Sequence, residues 1–474
     1  MAEIGLVGVG VMGAAFALNL VEKGHRVSLL DRTQDKIDDV AATARAQGLS
    51  GEVVACVAPK DFVASLRTPR SILVLVPAGG PLDVVIDSLT PHLDKGDLIA
   101  DLGNSNFRDT EARVSAFEAQ GFQFLGIGVS GGEEGARSGP SIMAGGSRNS
   151  WAQVKDTLSD AAAKYEDVPC CDWFGPGGAG HFIKTLHNGI EYADMQLIAE
   201  VYGIMRDGLG MTAADIAPVF ERWNTGPLES YLVEIAGEVA GAVDSVSGGS
   251  MLDMIVDKAG QKGTGRWSVI EALHLGSPVG MIAAAVEARN ISAARGARFR
   301  MEASFGPAPQ WLEGSAEDRA PVIDTLEQAL IAAKINAYIQ GLEVLDRASA
   351  EFGWDLDLAA VARVWRAGCI IRAGFLNEIA QVIDSGGSAN LAMDGGFGQK
   401  LVETLPALRV VVATSVSAGL STPALFAALN FHDQRRTSLG TANMIQGLRD
   451  YFGAHGFERY DSKGEVAHGP WGEQ

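Results

Sequence analysis

The segment Gly178–Gly203 (GAGHFIKTLHNGIEYADMQLIAEVYG) gathers residue types that move protons. Read as a helix, it places Lys184, His187, Asn188 and Glu191 at i, i+3, i+4 and i+7, on one face over two turns. At ~1.5 Å rise per residue, Lys184 and Glu191 stand about 10 Å apart along the axis. An amine and a carboxyl so spaced suit a base and an acid addressing different atoms of one small substrate. The plainer reading is a solvated face with favourable charge spacing, the default for an isolated stripe of this kind. Two features weigh against it: His187 and Asn188 lie among the charges, and Phe182, Ile183, Leu186 and Ile190 flank them as in a buried helix.

A second constellation stands at the N-terminus. Gly8-Val9-Gly10-Val11-Met12-Gly13 follows an apolar strand, Glu3–Val7, and opens a helical pattern from Ala14. The glycines permit a tight turn and close approach of a pyrophosphate, and the helix start offers free N–H groups to it. A lone GxGxxG also fits a ligand-free turn. Here the strand, the helix and Asp31, which ends the second strand, together favour a dinucleotide. Asp31-Arg32-Thr33 points two ways. The carboxylate suits ribose hydroxyls and hence NAD, whereas Arg32 and Thr33 suit a 2′-phosphate. Arg32 fits a solvated or adenine-stacked cation equally well.

These groups need a scaffold, and the chain alternates accordingly. Apolar runs at Ile4–Val7, Val27–Leu30, Ile72–Val76, Leu98–Asp101, Phe124–Val129 and Ser141–Ala144 are separated by helical patterns such as Ala14–Lys23, Leu82–Leu93 and Thr110–Ala119. That order predicts a Rossmann-like, doubly wound and mostly parallel sheet over residues 1–177. After the hinge Gly175-Pro176-Gly177-Gly178, helical patterns dominate residues 178–435. A repeat is visible there: DIAPVFERWNTG (Asp215–Gly226) returns as DLAAVARVWRAG (Asp357–Gly368), with aspartate, tryptophan and glycine in register. A duplicated all-helical unit is expected. Residues 436–474 turn polar and glycine-punctuated, the composition of a tail that is disordered or ordered from outside its own domain.

Composition narrows the function classes. With 474 residues the chain needs more than one core. Its formal charge of −20 disfavours nucleic acid and anionic membranes, and obliges any anionic ligand to find a local cationic pocket. No apolar run approaches the roughly 20 residues of a membrane span, and the N-terminus enters a strand without a basic signal region. The four cysteines, Cys56, Cys170, Cys171 and Cys369, make no CxxC or metal spacing, so reduced thiols in a cytoplasm and no metal are expected.

Several long segments resemble one family, the decarboxylating 6-phosphogluconate dehydrogenases. They are GVGVMG, DLGNS (Asp101–Ser105), Gly128–Gly146, Gly178–Glu200, DKAGQKGTGRW (Asp257–Trp267), WRAGCIIR (Trp365–Arg372) and RDYFGAH (Arg449–His455). The resemblance implies a pentose-phosphate-pathway homodimer that oxidises 6-phosphogluconate with NADP or NAD. It implies Lys184 as the base for the C3 hydroxyl and Glu191 as the acid that protonates C1 after CO₂ leaves. Asn104, Ser130, Gly131, Gly132, His187 and Asn188 are then expected to hold hydroxyls and carboxylate. Tyr192, Lys262, Thr264 and Arg289 are expected at the phosphate, joined by Arg449 and His455 of the partner subunit. Cofactor contacts are expected from Gly8 to Gly13, Asp31 to Thr33, Val76, Pro77, Ala78 and Asn104.

The chain departs from the family pattern in four places. Gly10 stands where alanine is frequent, and Leu102 where a second glycine is usual. Pro77 occupies a position where lysine is common, and Asp31 replaces the asparagine of NADP-dependent relatives. The last two relax the expectation of strict NADP use. A non-decarboxylating β-hydroxyacid dehydrogenase would share the fingerprint and the Lys184–Asn188 face, but would not need Lys262, Arg289 or RDYFGAH. A silent dinucleotide sensor would not need both Lys184 and Glu191.

Overall fold

Three of the strands that open the chain are buried along their whole length, which is why they read as unbroken apolar runs rather than alternating ones. The computed structural model describes residues 1–307, 311 and 315–471. Its main sheet contains β1 (Ile4–Val7), β2 (Arg26–Leu30), β3 (Glu52–Cys56), β4 (Ser71–Val74), β5 (Leu98–Asp101), β6 (Gln123–Ser130), β7 (Ser141–Gly146) and β8 (Cys171–Trp173). Their spatial order is β8-β7-β6-β5-β4-β1-β2-β3. All neighbours are parallel except β6 and β7, whose short connection Gly131–Pro140 leaves no room for a crossover. Strand order reverses beside β1, which pairs with both β2 and β4. The loops leaving β1 and β4 at this switch carry Gly8–Gly13 and Val76–Ala78, the place where open α/β sheets hold ligands.

One apolar layer packs on each face. Phe16, Leu20, Leu29, Leu125 and Trp151 belong to one, Phe62, Leu82, Leu89, Phe117 and Phe124 to the other. The six anticipated strands correspond to β1, β2 and β4 to β7. Strands β3 and β8 were not anticipated, because EVVAC is a partly exposed edge and CDW is too short to show a period.

Helix Ala179–Gly203, hereafter the site helix, lies against β6 and β7 at a distance set by glycine. A Cβ at Gly128 would overlap Lys184 Cβ, and one at Gly126 would overlap Thr110. Cβ atoms at Gly145 and Gly180 would each overlap the backbone of the other's segment. The two backbones therefore touch with no side chain between them. The helical region continues through Ala213–Trp223, Ala316–Phe352, Leu358–Val364 and Gly395–Ser417.

The two copies of the repeat share their stops more closely than their starts. Gly210 and Gly353 both adopt positive φ, at 63° and 65°, and Trp223 and Trp365 are both fully buried. The matched aspartates differ in use. Asp215 is the third residue of a helix whose cap is Thr212, in a reciprocal capping box, whereas Asp357 is itself the cap.

The chain forms two compact units, Met1–Ala428 and Leu429–Gln474. Of the two alternatives for residues 436–474, disordered or ordered from outside, the described residues up to 471 take an ordered form, while 472–474 lie outside the described residues. The second unit contains helix Ala442–Gly453 and a hairpin of Phe457–Arg459 with Ser462–Ala467. The buried Asp450 carboxylate ties it together, accepting bonds from Gly456 N, Gly469 N and Trp471 Nε1 and meeting His468 Nδ1 at 2.7 Å. One buried carboxylate satisfied four ways organises a polar segment whose composition alone leaves its order open.

The glycine contact is open to test. Gly128→Ala forces the site helix off the sheet, with an expected loss of about 1–3 kcal/mol and a lower Tm on thermal denaturation. Gly10→Ala, whose added methyl meets nothing within 4 Å, should leave Tm unchanged.

Candidate active site

Because the site helix presses on the sheet, its polar face is enclosed. Lys184 is 6% exposed and His187 0%. Lys184 Nζ donates to Asn188 Oδ1 at 2.8 Å and lies 3.3 Å from His187 Nδ1. His187 Nδ1 is 3.0 Å from Asn188 Oδ1, and its Nε2 is 3.2 Å from Ser130 Oγ at the end of β6. With the imidazole proton on Nδ1, Asn188 Oδ1 accepts from both Lys184 Nζ and His187 Nδ1, Nε2 accepts from Ser130 Oγ, and the Lys184–His187 approach is a contact rather than a hydrogen bond. Glu191, one turn on, approaches His187 Nδ1 at 3.9 Å and retains 21% of its side-chain surface.

Burial acts on these groups in opposite directions. It lowers the Lys184 amine to about 8, against the smaller opposing pull of the Glu191 charge. Burial also raises the Glu191 carboxyl above its ordinary value, opposed by Lys184 and Arg289. His187 is held well below its usual value, first by burial and then by Lys184, and is neutral. The face therefore offers an amine able to act as a base near neutral pH and a carboxyl able to carry a proton.

Beyond Glu191 the face becomes cationic. Tyr192 packs beneath Gly265, where no side chain fits between ring and backbone, and the Arg289 guanidinium lies 3.6 Å from the Tyr192 ring centroid. Arg289 also donates to Gly260 O at 2.9 Å and so reaches the loop that carries exposed Lys262. Thr264 opens helix Thr264–His274 after Gly263, at φ 103°, with no side-chain cap on its first turn. At the other side Asn104 is exposed on the loop after β5. Asp101 stiffens that loop by accepting from Gly103 N at 2.9 Å and Ser105 Oγ at 2.5 Å. Gly131 and Gly132 follow Ser130 with φ of 118° and 64°.

The fingerprint turn fits a dinucleotide on its own geometry. Gly8 adopts φ 97°, Gly13 closes against the Gly8 carbonyl, and helix Val11–Glu22 has no side-chain cap over its first N–H groups. Gly10 faces open space, so the alanine frequent at that position elsewhere would also fit. Asp31 has a part that sequence reading missed: Oδ2 accepts from Val9 N at 2.7 Å and Oδ1 from Thr33 N at 3.0 Å. It therefore clamps the turn, beside an exposed Arg32. Among the described residues no group of three or more His, Cys, Asp or Glu is placed to hold a metal ion.

Arg449 and His455 belong to the second compact unit, where both are exposed and Arg449 donates to Gln446 Oε1. Two further residues at the site carry no role in the sequence reading. The Trp365 ring stands edge-on to His187, centroids 5.7 Å apart, with its Nε1 on Met143 Sδ. Cys369, bonded to Trp365 O, is pushed up to about 12 by burial and remains a neutral thiol near Lys184. WRAGCIIR marked this stretch, but nothing in its spacing said which helix it would meet.

A doubly wound sheet with a phosphate-ready turn, backed by a helix that buries a lysine and a glutamate on one face, defines a dinucleotide-dependent dehydrogenase. Comparison with known proteins narrows the class. Residues 3–175 match the NAD binding domain of 6-phosphogluconate dehydrogenase, and residues 180–471 match its C-terminal domain. The chain is 44% identical to the decarboxylating 6-phosphogluconate dehydrogenase of Synechococcus elongatus, with 99% of each chain covered. It is 44% identical to that of Treponema pallidum, covering 99% of this chain and 97% of the relative. The structure of Plasmodium falciparum 6-phosphogluconate dehydrogenase superposes with a TM-score of 0.93 at 36% identity, covering 99% of this chain and all of that one. The chain belongs to the 6-phosphogluconate dehydrogenase family.

The coupling between the two ionisable groups is measurable. A base that must be neutral makes kcat/KM fall as pH drops below the Lys184 value of about 8. The Glu191 charge holds that value up, so Glu191→Gln should move the acidic limb of the residual pH–rate profile to lower pH. A limb that stays in place or moves up would uncouple the pair.

Proposed function

We propose that the chain catalyses oxidative decarboxylation of 6-phospho-D-gluconate to D-ribulose 5-phosphate and CO₂ with NAD(P)⁺. The observation that carries this reading is the buried Lys184 amine, lowered to about 8, on one helix face with a raised Glu191 carboxyl. The bound dinucleotide supplies the hydride acceptor, held at Gly8–Gly13, Asp31–Thr33, Val76–Ala78 and Asn104. Lys184 Nζ takes the C3 hydroxyl proton as the C3 hydrogen leaves as hydride. The 3-keto acid then loses CO₂, because the carbonyl β to the carboxylate accepts the electron pair. Protonated Lys184 returns its proton to that oxygen. Glu191 then delivers a proton to C1 of the enediol while the neutral Lys184 amine takes back the hydroxyl proton, leaving the ketone. Asn188 aims the lysine amine, and neutral His187 with Ser130 holds hydroxyls without adding charge.

Asn104, Gly131 and Gly132 complete the carboxylate end. Tyr192, Lys262, Thr264 and Arg289 take the phosphate, together with Arg449 and His455 of the partner subunit in a homodimer. The cationic end answers the formal charge of −20: three local cations focus a positive field where the phosphate must sit. Asp31 beside Arg32 supports use of both NAD⁺ and NADP⁺.

Lys184→Met should reduce kcat below about a tenth of wild type, a barrier increase of at least ~1.4 kcal/mol, with dinucleotide Kd unchanged. Paired in a two-tag mixed dimer with an Arg449→Ala chain, it should recover toward half of wild-type activity. An inactive mixed dimer that still binds dinucleotide would reject the shared site. Asp31→Asn keeps an acceptor for Val9 N–H but removes the charge. The kcat/KM ratio should shift toward NADP⁺ by about tenfold, one step of ~1.4 kcal/mol. An unchanged ratio would place Asp31 away from the ribose.

A further inference from the structure

One ion pair in the first unit is anchored between the two ends of the site and belongs to neither. Glu271 lies on helix Thr264–His274, two turns past Thr264, and its side chain is 5% exposed. Its carboxylate accepts both arms of the Arg108 guanidinium, Nε to Oε1 at 3.0 Å and Nη2 to Oε2 at 2.6 Å, across 163 residues of sequence. His274 Nδ1 stands 3.4 Å from Oε2. Arg108 is the second residue of helix Phe107–Ala119, whose cap, Asn106, follows Asn104 by two positions and accepts from Arg108 N. The guanidinium also lies 4.9 Å from the Phe107 ring centroid.

A planar, bidentate pair resists both rotation and separation, unlike a single lysine contact. Burying the Glu271 carboxylate makes that geometry obligatory, because the acid has no comparable solvation without its partner. The pair joins the loop bearing Asn104 on the sheet side to the helix that begins at Thr264 and follows the Lys262 loop. We propose that Arg108 and Glu271 are positioning residues that set the span between the carboxylate end and the phosphate end of the substrate site. They act as a gauge for the length of a phosphorylated sugar acid. The inference rests on the substrate reading above. Neither residue touches the reacting atoms. Their effect falls on a ligand that must reach both ends at once, since misplacing one end by a fraction of an ångström is felt only when the other is also held.

The test compares ligands that use one end with a ligand that uses both. In Glu271→Gln and in Arg108→Gln, KM for 6-phosphogluconate should rise by about fivefold or more, on the scale of one charge-assisted bidentate contact. kcat at saturation should stay near wild type. The Ki of inorganic phosphate, competing at the phosphate end alone, and the Kd of NADP⁺ should not change. The double variant should be no worse than the weaker single, because each removes the same tie. An unchanged KM in both singles would overturn the proposal. So would a KM that rises in step with the phosphate Ki, which would show that the pair only supports the phosphate loop. A wild-type chain that does not oxidise 6-phosphogluconate would instead reject the substrate reading, leaving the geometry of the pair to be tested on whichever acid it does oxidise.

Discussion

The site helix reaches the sheet because Gly126, Gly128, Gly145 and Gly180 leave nothing between the two backbones. Lys184 is consequently buried against β6, with the Cys369 thiol within electrostatic reach and Trp365 edge-on to the neighbouring His187. A helix standing off by the usual 10 Å of a side-chain layer would leave its polar face hydrated. The amine and the carboxyl would then both keep their ordinary affinities for protons. Packing geometry thus decides protonation, with no need for a metal or an unusual charge array near the amine.

The same burial has a cost that the site distributes. An isolated lysine and an isolated glutamate in such a place would both resist ionisation. Here each charge opposes the effect of burial on the other, and Asn188, His187 and Ser130 supply hydrogen bonds without adding charge. The Cys369 thiol stays protonated, so Lys184 is not neutralised from behind. At the far end the balance reverses. Arg289 remains partly hydrated over Tyr192, and Lys262 is exposed, so this end keeps permanent positive charge for an anion.

Much of this was legible in the residues themselves. The stripe of Lys184, His187, Asn188 and Glu191 follows from helical period alone, and buried apolar flanks indicated its enclosure. The fingerprint turn and six strands follow from local rules that act over a few residues. Long-range partners were not legible. Nothing in the spacing of Trp365 or Cys369 says that the first would meet His187 and the second would lie near Lys184. Glu271 reads as an ordinary helix carboxylate until Arg108 is found beside it. Asp31 was read for its reach toward ribose, whereas both of its oxygens also hold backbone N–H groups, a contact set by the sheet register between β1 and β2. Composition left the tail either disordered or ordered from outside, because it counts apolar surface and cannot count the bonds one carboxylate accepts.

That last feature bears on recognition. In the second unit, Asp450 joins the helix, the start of the hairpin and the chain after it through Gly456, His468, Gly469 and Trp471. A polar segment that folded only on arrival would lose about 1–2 kcal/mol of backbone entropy per residue at the moment of docking. In the described conformation the bonds to Asp450 fix the frame from which the exposed side chains on helix Ala442–Gly453 are presented, and a segment that holds this frame before docking would avoid that loss. Association of such a preorganised module is governed by the fit of its surface rather than by ordering of its chain, which favours slow release once a matching surface is met.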